Sequence, residues 1–520
     1  MLIKVPSALH IGLETMGVDV EVNMANRGLP AFDIVGLPSK AIDESKERVK
    51  TAIVNSNIDF PAQKITINLA PADIPKEGSF YDLPIAVGIL SGVLDFRIPE
   101  KTLFFGELSL DGSVRHTKGA LLLALFAREF GYKYVFVPKD SANEAAAIPE
   151  ITVYAVSHLA EVVEHLAGRV ALNQVPHNPE AQEADEVLAE FDMAEILGQE
   201  QAKRAMEIAA AGGHNILMVG SPGAGKTMLA RALPGILPQL NDVESLEVTK
   251  IYSASGHIAA GGSLLRHRPF RSPHHSTSLV GLIGGGSKPQ PGEISLAHRG
   301  VLFLDEFNEF PRSVLEALRG PLEDGSVTIA RSLRRVQYPA NFMLVASANP
   351  CPCGYLNHPK RACVCSLREI QKYKKRASGP ILDRIDLHVE VPAVEVDDLA
   401  QSRVVRDIRE PSRSVRARIQ AARNIQKTRF AHSTSSGQAA DNIQANAEMK
   451  NRHLKEYAAL SLKVEQVLRQ AANRFQLSAR SYFRMHKIAR TIADLDESEN
   501  IEVKHMAEAL QYRPKINDEE

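Results

Sequence analysis

Cysteine is absent from this 520-residue chain except in one window, where "NPCPCGYLNHPKRACVCS" carries Cys351, Cys353, Cys363 and Cys365. Four clustered thiols cannot serve as a disulfide framework for so long a chain, and they favour a reducing compartment. No run approaches eighteen apolar residues, so no membrane-spanning helix is expected. The N-terminus, "MLIKVPSALHIGLE", lacks a basic segment followed by a long apolar one. No export signal is read there, and a cytoplasmic location without membrane contact is expected. Net charge is only −1, which removes any global argument for a polyanionic partner. What remains is a globular composition, 44% apolar, with the length of about three domains.

Charge is unevenly spread. Arg403 to Arg429 holds nine Lys/Arg against two acids, a stretch able to meet phosphates or to form a solvated helix face. Glu180 to Glu200 is acid-rich with neither Lys nor Arg. Residues 1–168 read as α+β: "VDVEVNM" (Val18–Met24) and "KITINLA" (Lys64–Ala70) alternate as half-buried strands do. "ALLLALFAREFG" reads as a helix closed by Gly131, and "YKYVFVP" as a strand stopped by Pro138. Residues 169–190 lose this periodicity and read as a linker. From Phe191 to about residue 393, apolar strands alternate with helical patterns, which argues for a parallel α/β sheet. Residues 394–520 read as a basic connecting segment followed by a helical lid from Asn451 to Tyr512.

One stretch carries specific chemistry. "HNILMVGSPGAGKTMLARAL" places an apolar strand (Ile216–Val219) before Gly220, Ser221, Pro222, Gly223, Ala224, Gly225, Lys226, Thr227 and Met228, and then a helix. This is G-x-x-x-x-G-K-T in its strand–loop–helix context. The glycines let backbone N–H groups wrap a β-phosphate, Lys226 neutralises β/γ oxygens, and the Thr227 hydroxyl is offered to Mg²⁺. Further on, "GVLFLDEFNEF" ends an apolar run (Val301–Leu304) in Asp305 and Glu306, suited to Mg²⁺ and to activation of the attacking water respectively. A third strand, "NFMLVASANP", delivers Asn349 to the same sheet edge, where its amide would orient that water.

With these motifs in order, the chain resembles an AAA+ ATPase of the magnesium-chelatase-like branch. Within that branch it is similar to the ComM/YifB competence-protein family, through "RPFRSPHHSTS", "PQPGEISLAHRGVLFLDEF", "EALRGPLEDGSVTIAR" and "ANPCPCGY". The resemblance covers nearly the whole chain. It implies that "EILGQEQAK" packs on adenine through Ile196 and Gln199. It implies that "ILDRIDLH" presents Arg384 as an arginine finger to a neighbouring subunit, and that "LSARSYFRM" supplies Arg480 as the lid arginine. A guanidinium suits both tasks because it stays charged and forks across phosphate oxygens.

Residues 1–168 resemble the proteolytic domain of Lon-type proteases. "IPKEGSFYDLPIAVGIL" matches the nucleophile segment and puts Phe80 where the serine belongs. "GELSLDGSVRHTKGALLLAL" matches the lysine segment and puts Leu121 where the lysine belongs. A Ser–Lys dyad needs a hydroxyl beside an ionisable base, so peptidase activity is not expected even with Ser79 adjacent. A scaffold role in ring assembly or DNA contact, as in RadA-type recombination proteins, is expected instead.

Between Glu306 and Asn349, "GSVTIARSLRRVQYPANF" reads as strand–turn–strand with Arg331, Arg334 and Arg335 around the turn. In related replicative helicases such a hairpin grips the DNA backbone in a central pore. Hydrolysis at Asp305 and Glu306 is expected to move it because both belong to one rigid sheet segment. Arg268, Arg271, His274 and His275 form a candidate second contact or part of a helix-2 insert. The paired histidines invite a metal reading, but their motif supplies no further ligand. The four cysteines are read as a structural Zn²⁺ site whose flank, Lys360 and Arg361, faces DNA or an adjoining subunit. Their Cys-x-Cys spacing is tighter than usual, and His358 could replace one thiolate. The resemblance implies a hexameric ring that hydrolyses ATP to drive branch migration on single-stranded and branched DNA during natural transformation. A chelatase motor subunit, a protein remodeller and an ATP-dependent protease are the competing readings.

Overall fold

The structure, a computed structural model, describes residues 2–25, 29–37, 39–76, 78–177, 189–286, 289–331, 334–393, 409–431 and 443–514. Two compact bodies emerge, and neither follows a single cut in the chain. The first joins Met1–Ala184 with Asn241–Arg266 and Thr328–Tyr338. The second holds Asp185–Leu240, His267–Val327 and Pro339–Glu520.

The first body is α+β. Its first sheet runs in the order Leu2–Ile11, Glu14–Ala25, Lys64–Ala70, Ala31–Val35, antiparallel except for the last pair. The alternation read at Lys64–Ala70 is observed directly: Ile65, Ile67 and Leu69 are buried and their neighbours are not. Helix Asp82–Leu94 is buried over its first ten residues, as its nearly unbroken apolar sequence requires. A second sheet orders Gln174–Val175, Thr152–Val156, Tyr134–Pro138 and Thr102–Phe104. Within the stretch expected as a linker, Gln174–Val175 pairs with strand Thr152–Val156, since backbone pairing needs no side-chain periodicity. Residues 178–188 of that stretch lie outside the described residues.

Residues 241–266 belong to this body through hydrogen bonds as well as packing. Gly119 N–H donates to Ser253 O (3.0 Å), Gly261 N–H to Asp140 O (2.7 Å), and Asn143 Nδ2 to Gly261 O (2.9 Å). Leu264 joins the apolar cluster around Leu121 and Phe126. Glu144, buried here, accepts from Leu121 N–H at 2.9 Å, and burial pushes its carboxyl up to about 6.

The arginine hairpin has the expected form, with strands Ser326–Arg331 and Arg334–Pro339. It does not belong to the sheet of the Asp305 strand: among the described residues its strands pair only with each other, and Thr328–Tyr338 packs with the first body. The physical reason is visible at Gly12, the bend between the first two strands. A Cβ there would lie 2.3 Å from Val336 Cγ1, so the hairpin's apolar face rests on bare backbone. Tyr338 is buried and Arg335 is exposed, while Ser332, Leu333 and the side chains of Arg331 and Arg334 lie outside the described residues.

The second body is built on a five-stranded parallel sheet. The order is Phe270–Arg271, Val301–Leu304, Met343–Ala348, Ile216–Gly220, Leu387–Val391. Val301–Leu304 and Met343–Ala348 are buried at every residue, which is why they read as unbroken apolar runs. Ligands of such sheets sit at the carboxyl ends of the strands, where Gly220, Asp305 and Asn349 all emerge. Helices Asn451–Tyr457, Leu462–Arg474, Ala479–Leu495 and Val503–Gln511 form the C-terminal lid.

Several cations in the described part of the basic stretch Arg403–Arg429 are structural. Residues 403–408 lie outside the described residues. In helix Ser412–Ala431, Arg416 donates to Gly235 O (2.7 Å), Arg418 to Glu207 (2.7 Å), and Arg423 to Ala210 O (3.0 Å). Arg429 pairs with Asp494. These four cations stitch the helix to its neighbours, while Arg413 and Lys427 are exposed.

Candidate nucleotide site

The phosphate loop begins where strand Ile216–Gly220 ends and helix Lys226–Ile236 starts. Gly223 (φ 79°) and Gly225 (φ 89°) adopt the left-handed conformation, which an L side chain resists, so the curl requires glycine. Lys226 Nζ donates to the carbonyls of Gly220 (2.6 Å) and Ser221 (2.9 Å) and to Asn349 Oδ1 (3.2 Å). Burial pushes the ammonium down from its ordinary value, while Asp305 and Glu306 pull it back up.

Thr227 Oγ1 donates to Asp305 Oδ2 at 2.9 Å. The other carboxylate oxygen of Asp305 accepts from Ser347 Oγ and from Glu306 N–H (3.0 Å). Hydroxyl and carboxylate oxygens in this contact are the hard donor set that Mg²⁺ takes, so Thr227 and Asp305 fit the ion. Gln199 sits in the left-handed conformation (φ 60°) and donates to Pro392 O (2.6 Å) and Ala224 O (3.3 Å). Its Oε1 is buried without a hydrogen-bond partner among the described residues. An adenine amino group would satisfy that oxygen. Ile196 is buried in the core beneath the same segment.

Lys226, Thr227, Asp305, Glu306, Asn349 and Gln199 are thus gathered at one sheet edge. Arg384 and Arg480 are not. Asn215 Nδ2 donates to Arg384 O (2.9 Å), and Asn215 precedes the strand whose far end is Gly220. Five strand residues at about 3.3 Å each put roughly 16 Å between them, more than an arginine side chain spans. Arg480 shares that remote edge: both guanidiniums meet Glu323, Arg480 at 2.5 Å, and Arg384 beside it holds the Glu323 carboxyl below its ordinary value. One turn on from Arg480, Arg484 donates to Ile385 O at 3.0 Å, which fixes the helix there.

Several side chains escaped the sequence reading. Ser347, which braces Asp305, could have been found, since it alternates with Asn349 along one strand face. His275, expected as a second DNA contact or part of a helix-2 insert, has its Nδ1 3.2 Å from Glu306 Oε2. Arg268 and Arg271 are engaged within the body: Arg268 donates to Pro238 O (2.9 Å) and Arg299 O (2.7 Å), and Arg271 grips Glu293 at 2.6 and 2.7 Å. Nothing in the sequence pattern marks Glu323 as the meeting point of two arginines.

The thiols form one cluster. Cys351 Sγ lies 3.4 Å from Cys353 Sγ, and each lies 3.6 Å from Cys363 Sγ. With Cys365, all four ligand atoms fall within 4.8 Å of one another. His358 is not among them. Its Nδ1 accepts from the N–H groups of Lys360 and Arg361 (3.1 Å each), closing its own turn. Arg361 stacks over the Tyr355 ring.

In the N-terminal body Leu121 is fully buried and Phe80 packs against the core, so neither site of a Ser–Lys dyad carries a reactive group. Ser79 donates to Glu107. Among the described residues no helix is long and apolar enough to cross a membrane.

Comparison with known proteins shows the family. Residues 192–399 match the magnesium chelatase subunit ChlI family, residues 409–513 its C-terminal domain, and residues 20–141 a further ChlI-subunit domain family. The competence protein ComM of Haemophilus influenzae is 40% identical, over 98% of this chain and 97% of its own. The YifB protein of Escherichia coli is 40% identical over 97% and 95% respectively. The magnesium-chelatase 38 kDa subunit of Cereibacter sphaeroides is 28% identical over 31% of this chain and 53% of its own. The phosphate loop, the Asp305–Glu306 pair and near-full-length similarity together place the chain in the ComM/YifB family of magnesium-chelatase-like AAA+ proteins.

Proposed function

We propose that the chain is an ATP-driven DNA motor, working as a hexameric ring as its AAA+ class implies, that promotes branch migration when transforming DNA recombines. Support comes from a hydrolytic site whose Asp305 and Asn349 strands are joined through a hairpin bearing Arg331, Arg334 and Arg335. ATP and Mg²⁺ are the cofactors of this reading, with a structural Zn²⁺ on the four thiols as a third. Bound Mg²⁺ supplies neutralisation of phosphate charge. Lys226 offsets the remaining negative charge, Glu306 accepts the proton of the attacking water, and Asn349 orients that water. Arg384 and Arg480, too far from their own phosphate loop, act together on the nucleotide of a neighbouring subunit. Glu323 holds the pair in position until that neighbour docks.

The N-terminal body is a scaffold in this reading. It holds Thr328–Tyr338 of the arginine hairpin. The name of the Haemophilus relative supports a role in competence. A second reading, a chelatase motor subunit, draws on the match to the ChlI families. Turnover of ATP with and without single-stranded and branched DNA separates the two. Strong stimulation by branched DNA is expected, and turnover indifferent to every DNA tested would overturn the motor reading.

A further inference from the structure

The cysteine cluster stands in the nucleotide site, not on a remote flank. Cys351 follows Asn349 by two residues, and Asn349 Oδ1 is bonded to Lys226 Nζ at 3.2 Å. The turn Cys351–Gly354 is closed by Gly354 N–H donating to Cys351 O at 2.9 Å. Gly354 holds φ 81°, and a Cβ on it would lie 2.5 Å from Pro222 Cδ and 2.6 Å from Pro222 Cγ. Bare backbone of the cysteine turn therefore rests on the phosphate loop itself. The turn meets the site at two points: Asn349 at its start and Pro222 at its end.

The sulfur geometry fits one tetrahedral ion. Zinc–thiolate bonds of about 2.3 Å give sulfur–sulfur edges of about 3.8 Å in a tetrahedron. The observed 3.4–3.6 Å separations are close to those edges and far from the roughly 2.05 Å of a disulfide. The backbone N–H of Cys353 donates to Cys365 Sγ at 3.4 Å. Such donors stabilise thiolate ligands from outside the coordination shell. The second pair leads into helix Leu367–Lys374, whose first turn is capped by Ser366 and Glu369. One ion would thus pin the end of the Asn349 strand to the start of a helix.

We propose that Cys351, Cys353, Cys363 and Cys365 bind one Zn²⁺ and that this metal-bound turn holds Pro222 and Asn349 in place for ATP turnover. The second half rests on the ATPase reading; the metal site does not. Removing the ion frees the loop 350–366, because a structural zinc site's binding energy is folding energy. The phosphate loop then loses the surface under Pro222, and Asn349 loses its anchor. The basic flank at Lys360 and Arg361 is secondary to this role.

Three proteins test it: the wild type, Cys353→Ser/Cys363→Ser, and Gly354→Ala. Each is purified without added zinc or chelator, and its metal content, binding of a fluorescent ATP analogue and steady-state turnover are measured. The wild type should carry close to one zinc per chain. The double variant should lose the metal and about tenfold or more of its turnover. Gly354→Ala should keep its zinc, which reports a folded turn, yet raise KM about fivefold or more by crowding Pro222. A folded, active wild type without zinc, or with iron instead, overturns the metal assignment. Zinc-loaded Gly354→Ala and zinc-free double variant with wild-type binding and turnover both overturn the coupling. A zinc-loaded wild type that neither binds nor hydrolyses ATP overturns the ATPase reading, and the coupling with it.

Discussion

His275→Ala should raise basal ATP turnover. Glu306 has to be free to take a proton from water, yet His275 Nδ1 lies 3.2 Å from its Oε2. The side chains are 37% and 53% exposed, so solvent screens the pair and its worth is about 0.2–1 kcal/mol. If Glu306 must leave His275 on the way to the transition state, that energy adds to the barrier. Its removal should raise kcat by a factor of about 1.4–5. The contact is an ion pair only when the imidazole is protonated. The assay is steady-state turnover of wild type and His275→Ala without DNA, with kcat and KM separated. A kcat that falls would show that His275 orients Glu306 instead of restraining it.

Lys226→Ala should abolish nucleotide binding, whereas Glu306→Gln should bind ATP and hydrolyse it at least about a hundredfold more slowly. Normal turnover in both would overturn the site assignment. Arg384→Ala and Arg480→Ala should each be inactive alone, and each should regain turnover when mixed into rings with Lys226→Ala protein. Recovery for Arg384→Ala but not for Arg480→Ala would place the lid arginine on its own subunit's nucleotide. Arg334→Ala/Arg335→Ala should keep basal turnover and lose DNA unwinding in a strand-displacement assay; intact unwinding would remove the hairpin from the mechanism. Glu144 has a native value raised from 4.5 to about 6, so its protonated form stabilises the first body. That contribution, about 2 kcal/mol, is complete below pH 4.5 and is lost as pH rises through 6. Urea unfolding of Glu144→Gln, which keeps an acceptor for Leu121 N–H, should show a flatter pH dependence than wild type across that window.

By itself the sequence determined everything that depends on near neighbours. Val301–Leu304 was readable because a strand buried on both faces must be apolar throughout, and Lys64–Ala70 because one face is not. Lys226, Thr227, Asp305 and Glu306 were readable because a phosphate loop and its acidic partner need fixed residue types at fixed offsets. The cysteine cluster was visible as a cluster, but its neighbour was not. Only the fold brings Gly354 against Pro222, across more than a hundred residues of chain. The same holds for Arg384 and Arg480, which the family resemblance nominates as phosphate-seeking and which the fold puts at the end of the parallel sheet remote from their own phosphate loop. The hairpin's strands follow from their alternation, whereas its seat on Gly12 depends on a long-range apolar contact that no local pattern encodes. Local pattern fixes what a residue is able to do, and tertiary packing decides which partner it does it to.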